Sequence, residues 1–215
     1  MSVPVLLSFH PALSLLLNSP HNSGRVEYYL TRKASVKDVI ESLGIPHTEI
    51  AHLTVNNEEK GFDYILVGGD TVEVHGVMTP ADVYSPNILR QKMPERIRFV
   101  VDVNVGKLAR LLRLLGFDAV YHPDFGDETL ARIAHEEQRI MLTKDATLLK
   151  RKIVQFGRLV RATTPREQLL EVVELYDLAW RARPFFCRRS VGRPLWPLPQ
   201  PWGWRDRWGI SSSPS

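Results

Sequence analysis

Residues 98–145 read RFVVDVNVGKLARLLRLLGFDAVYHPDFGDETLARIAHEEQRIMLTKD, and their pattern decides the fold of the second half of the chain. Two short apolar runs each end in an aspartate, FVVD at Asp102 and IMLTKD at Asp145. Between them Leu108, Leu111, Leu112 and Leu115 recur at i, i+3, i+4 and i+7, the period of a helix face, and Gly116 closes the helix begun at Asn104. DAVYH is a second strand, and Asp127–Gln138 a second helix with Leu130, Ile133 and Ala134 inward. Beyond the third strand, RIMLT, come a third helix over Ala146–Phe156, a fourth strand RLVRA, and the helix TPREQLLEVVELYDLAW with Thr164 as N-cap and Pro165 at N1. Strands alternating with helices at this spacing predict an α/β domain, a parallel sheet with helices on both faces.

In such a sheet ligands bind beyond the carboxyl ends of the strands. Asp102 ends the first strand, Asp145 follows the third, and Asp127 opens the helix after the second, so all three point to one edge. Carboxylates gathered in this way repel one another unless cations join them. Mg²⁺ or Mn²⁺, which take oxygen ligands and hold phosphates, are the natural answer, and they activate water and polarise a phosphoryl oxygen. Each acid also has a plainer role. Asp127 after Gly126, and Asp145 before ATLLKR, are both placed to cap helices. Asp102 is harder to explain away, because a carboxylate ending VVD is costly unless paired or liganded. Glu128 is either a fourth ligand or a favourable charge at a helix start. Asn104 orients a bound water or caps the helix. Asp118 reads as structural and Asp124 as solvent-exposed.

Cations flank the acids. Lys107 and Arg110 lie on the first helix, and Lys144 precedes Asp145. They supply sequence-independent phosphate contacts or simply the solvated face of amphipathic elements. The run Lys150–Arg151–Lys152 fits the second reading better.

The first segment has a different order. VLLSF (Val5–Phe9) and RVEYYL (Arg25–Leu30) are strands across a turn-rich loop, and the leader MSVPVLLSFHPALSLLLNS reads as strand and loop rather than a signal peptide. A helix follows with Ser35 as N-cap, Val36, Val39, Ile40 and Leu43 as its stripe and Gly44 at its end. AHLTVNN and TVEVH are further strands, the latter after a Gly68–Gly69–Asp70 turn that needs positive φ. Hairpin, helix and further strands are the order of a ubiquitin-like β-grasp. The expected divisions are residues 1–80 for this domain, 81–95 for a proline-containing linker, 96–183 for the α/β domain, and 184–215 for a poorly ordered tail rich in tryptophan and proline.

Composition narrows the classes. Of 215 residues, 44% are hydrophobic and 24% charged, an ordinary globular balance. No apolar run approaches the ~20 residues that cross a bilayer. A single cysteine, Cys187, excludes an intramolecular disulfide framework and points to a reducing compartment, the cytoplasm. The net charge of +4 concentrates from Arg181 onward, where seven arginines face one aspartate, a basic tail suited to nucleic acid.

The conjunction of DVNVGKLARLLRLLGFD, DETL and LTKD, in this order, resembles the Mut-7 C-terminal RNase family, a PIN-like nuclease fold, over about residues 96–183. RVEYYLTRKASVKDVIESLGIPHTEIAHLTVNNEEKGFDYILVGGDTVEVHGVM resembles the ubiquitin-like domain found ahead of such RNase domains. The resemblance implies metal-dependent RNA cleavage, with the acids on Asp102, Asp127 and Asp145. Some β-grasp relatives are sulfur carriers that work through a free Gly-Gly terminus, whereas this chain runs on past Gly69, which favours a binding or packing module. Many family members continue into a zinc ribbon of two cysteine pairs. One thiolate at Cys187 cannot build it, so no zinc is expected. The competing reading is a non-catalytic RNA-binding or regulatory protein that recruits a partner through the ubiquitin-like domain. Neither a DxDx[TV] nucleophile motif nor a GxxxxGK[ST] loop supports other phosphoryl-transfer chemistry.

Overall fold

A computed structural model of the chain describes residues 3–18, 23–91, 93–179 and 181–182. The first unit is a mixed five-stranded sheet in the order β2-β1-β5-β3-β4. Its strands are β1 (Val5–Phe9), β2 (Arg25–Tyr28), β3 (Ile50–Val55), β4 (Glu58–Glu59) and β5 (Thr71–Gly76). β1 runs parallel to β5 and antiparallel to β2, the arrangement expected of a ubiquitin-like β-grasp. In β5 exposed and buried residues alternate strictly, so Val72 and Val74 enter the core while Glu73 and His75 stay outside. Helix α2 (Val36–Ser42) closes this core with Val36, Val39 and Ile40. It starts on a reciprocal capping box between Ser35 and Asp38, which satisfies two otherwise orphaned N–H groups. Gly69 takes φ +94° in the turn before β5, as its place after Gly68 suggests. One element differs from the sequence reading: Pro11–Ser14 forms a short helix, α1, not a loop, with proline at its start and Leu13 pinned in the core.

The second unit is an all-parallel sheet in the order β7-β6-β8-β9. Its strands are β6 (Phe99–Val101), β7 (Ala119–Val120), β8 (Ile140–Thr143) and β9 (Gly157–Leu159). Every residue of β6 and β8 is buried, which is why these strands lack alternation: helices cover both faces. On one side α3 (Gly106–Leu114) and α6 (Pro165–Leu175) pack through Leu108, Leu112, Val172 and Leu175. On the other, α4 (Asp127–Glu136) and α5 (Ala146–Leu149) pack through Leu130, Ala134, Leu148 and Leu149. The α6 capping box of Thr164 and Glu167, with Pro165 at N1, matches the sequence reading.

α5 is shorter than the expected Ala146–Phe156. It ends after Leu149, and the following residues turn so that Val154 is buried. The residues that follow meet the first domain. Val154 offers its carbonyl to Nε2 of His47 at 2.8 Å, and Lys150 Nζ donates to the Glu41 carbonyl at 2.7 Å.

These contacts belong to a polar seam between the two units. Glu49, 1% exposed, accepts from Arg158 Nη1 at 2.6 Å and from the Leu159 N–H at 2.7 Å, with Arg161 3.6 Å away. Arg158 also donates to Glu171 at 3.2 Å. Ala81 and Arg90 lie along this seam. Arg90 donates to the carbonyls of His47, Thr48 and Gln155, and the Ala81 N–H donates to the Leu175 carbonyl. No helix among the described residues is long and apolar enough to cross a membrane.

Asp118, read as structural, accepts from Arg139 at 2.7 and 3.1 Å, while the same guanidinium reaches the Phe99 carbonyl and Glu137. Arg139 is 6% exposed, so its charge is satisfied only by these partners. The hydrogen bond from Arg139 holds the Asp118 carboxyl below the ordinary carboxylate range. A carboxyl lowered in this way stabilises the fold above the pKa of the unfolded chain, about 3.9. That contribution is lost as pH falls through the folded value. Asp118→Asn should therefore lower the melting temperature at pH 7, by a difference that fades as the pH is taken down through the acid range, read from melting curves of both proteins across pH. A difference that persists at the acid end would contradict the linkage.

Candidate active site

The carboxyl edge of the parallel sheet gathers the residues singled out above. Asp102 follows β6 and is 6% exposed. Its Oδ1 accepts the Val103 N–H at 2.6 Å, and its Oδ2 accepts the Thr143 hydroxyl and Asn104 Nδ2, both at 2.6 Å. A carboxylate has about four acceptor directions, so one remains on Oδ1. All three donors are neutral. Among the described residues no cation pairs with Asp102, an unusual state for a buried carboxylate.

Thr143, wholly buried at the end of β8, ties this carboxylate to the next acid. Its hydroxyl donates to Asp102, and its oxygen accepts the Asp145 N–H at 2.9 Å. Asp145 in turn caps α5, accepting the Thr147 N–H at 2.7 Å, so its capping role is real. A second oxygen stays available on each side of this link. Asn104 completes a ring: its amide nitrogen serves Asp102, and its carbonyl accepts the Lys144 N–H at 3.1 Å. The ends of β6 and β8 are thereby joined by side chains as well as by the ladder.

The remaining acids stand apart from this pair. Asp127 opens α4, makes no side-chain cap, and lies 3.6 Å from Arg151. Glu128, next to it, is exposed. Among the described residues no three His, Cys, Asp or Glu side chains are grouped closely enough to hold a metal ion. Asp102 and Asp145 nonetheless suit Mg²⁺ or Mn²⁺ in kind. Both are hard oxygen donors, and Mg²⁺ is commonly held by one or two carboxylates, with waters and phosphate completing the octahedron.

Lys107 and Arg110 are exposed one turn apart on α3, and Lys144 is exposed after β8. None of the three has an ion-pair partner among the described residues. The neighbouring run divides: Lys150 goes to the domain seam and Arg151 to Asp127. Gly106 opens α3 beneath the ring of Tyr121, where an added Cβ would meet ring atoms at 2.6–2.7 Å. Glycine is what lets the helix start so close to β7. Sequence reasoning assigned nothing to Thr143 or Tyr121. The first had a usable signal, a hydroxyl two residues before an acid at a strand end; the second had none. Cys187 and the expected zinc-free tail lie outside the described residues.

Residues 97–193 match the family model described as the Mut7-C RNAse domain, and residues 2–82 match the one described as Mut7-C ubiquitin. The first match spans the whole parallel sheet with Asp102, Asp127 and Asp145, and points to a nuclease acting on RNA. No curated protein matches the chain.

Proposed function

Because the chain joins a Mut7-C ubiquitin domain to a Mut7-C RNAse domain, we propose that it hydrolyses RNA phosphodiester bonds with a divalent cation held by Asp102 and Asp145. The observation that carries this reading is the Asp102 carboxylate, buried at a strand end among neutral donors, with no cation beside it and Asp145 linked to it through Thr143. Mg²⁺ or Mn²⁺ at these oxygens supplies a Lewis acid for the phosphoryl group and acidifies the attacking water.

The chain's own residues do the rest. Thr143 and Asn104 fix the Asp102 rotamer, so the free Oδ1 direction is set before substrate arrives. Lys107, Arg110 and Lys144 hold the flanking phosphates in register, a role that needs charge and not sequence. Asp127 joins the acid set by leaving Arg151. An exposed pair at 3.6 Å is worth under ~1 kcal/mol, so the exchange costs little. Glu128, in the same first turn of α4, would add negative charge beside Asp127. In the reaction a water oxygen bonds to phosphorus, the P–O bond to the departing ribose oxygen breaks, and that oxygen takes up a proton.

The test is cleavage of end-labelled single-stranded and structured RNA by the full chain. Turnover should appear with Mg²⁺ or Mn²⁺, vanish with excess EDTA, and return when the metal is restored. Undiminished cleavage in EDTA would remove the cation from the scheme.

A further inference from the structure

The loop between β7 and α4 carries features that phosphate chemistry does not use. β7 pairs with β6 in parallel, Val100 opposite Val120, so the residues after β7 emerge beside Asp102. They are Tyr121, His122, Pro123, Asp124 and Phe125. The His122 and Phe125 rings lie 5.1 Å apart with 31° between their planes, a tilted ring contact. Phe125 is partly buried against the core cluster of Val100, Leu130 and Leu148. His122 keeps more than half of its side chain in solvent. The imidazole is further held by the Asp124 N–H, which donates to Nδ1 at 3.2 Å, with the Asp124 carboxylate 3.6 Å away.

An aromatic ring is thus half exposed to water beside a second ring that the core anchors. Beyond it the ground is open. A Cβ added at Gly126 would meet nothing within 4 Å. Val103, next after Asp102, is 55% exposed and adds apolar surface beside the acid. A duplex offers such a surface only stacked, paired bases. An unpaired strand offers a free π-face beside each phosphate, and base–aromatic stacking accepts any base.

We propose that the outer face of His122, braced by Phe125, stacks on an unpaired base of the RNA strand next to the phosphate at Asp102 and so selects single-stranded substrate. This rests on the nuclease reading for the identity of the strand, but it concerns binding alone and is tested without turnover.

The full chain is titrated in EDTA into three fluorescent probes: a single-stranded RNA decamer, the same decamer with abasic ribose at its central positions, and a blunt ten-base-pair RNA duplex. Anisotropy should show the intact strand bound roughly tenfold tighter than the abasic one, the scale of one base–aromatic stack, and tighter than the duplex. His122→Ala should lose about that tenfold for the intact strand and nothing for the abasic one, while His122→Phe, which keeps a flat ring, should retain it. Circular dichroism confirms that both variants fold, and the phenylalanine variant carries the test should the alanine variant fail to. Equal affinity for intact and abasic strands, or identical behaviour of the alanine and phenylalanine variants, overturns the proposal. Absence of metal-dependent cleavage by the unaltered chain bears instead on the nuclease reading.

Discussion

Asp102→Asn should reduce metal-dependent RNA cleavage by at least about a hundredfold. Partners that only orient a metal ligand typically cost about 10–100-fold when lost, and Asp102 is placed as a ligand itself. The substitution removes the charge that holds a cation and also upsets the donors around it. An asparagine that accepts the Val103 N–H through its oxygen turns its NH₂ toward Asn104 Nδ2, which is already a donor. Asn104 cannot simply flip, because its own oxygen accepts the Lys144 N–H. A buried mismatch of this kind costs about 1–3 kcal/mol, so the melting temperature should fall as well. Thr143→Val separates the two effects. It leaves the charge in place but removes the hydroxyl that joins Asp102 to the Asp145 N–H, and should cost activity in the outer-partner range, ~10–100-fold. Single-turnover cleavage at saturating Mn²⁺, measured well below each variant's melting temperature, checks both. Full activity in Asp102→Asn would end the case for this edge as the active site.

The largest effect on stability should come from a residue far from the acids. Glu49→Ala removes a carboxylate that is 1% exposed and serves Arg158, Arg161 and the Leu159 N–H together. Arg158 keeps Glu171, but Arg161 and the strand N–H lose their carboxylate acceptor. Breaking a buried pair by deleting one partner costs about 3–5 kcal/mol, and for a chain of this size the melting temperature should drop on the order of 10 °C. Glu49→Gln should fall between, since its carbonyl oxygen can still take the Leu159 N–H. Differential scanning calorimetry is the direct measurement. A shift of only a degree or two for the alanine variant would mean that the seam is not a stabilising contact.

The fold was legible because its signals are local. The leucine spacing of α3, the capping residues Ser35 and Thr164, and the unbroken apolar runs of β6 and β8 each state one element, and their order states the sheet. The strand-end logic gathered Asp102, Asp127 and Asp145 at one edge; Thr143 links the first and the last of them. What it missed is carried by contacts between distant parts of the chain. The segment after α5 meets His47, more than a hundred residues earlier. The pairing of Asp127 with Arg151 is a matter of side-chain direction at a helix start, which spacing does not encode. Glu49 sits in HTEIAHL, where it looks like any surface glutamate until an arginine from the other domain arrives. Thr143 looks like an ordinary strand residue until its hydroxyl is seen to bridge two acids.

The Glu49 carboxylate has one more consequence. β9 is the last strand of the parallel sheet, and an outermost strand with free N–H groups is a template on which another chain can add itself. Here the outward Leu159 N–H is taken by a side-chain oxygen from the ubiquitin-like domain, which ends the ladder without offering a backbone to continue it. The first domain therefore closes this N–H to a further strand, and removing that domain would open it again.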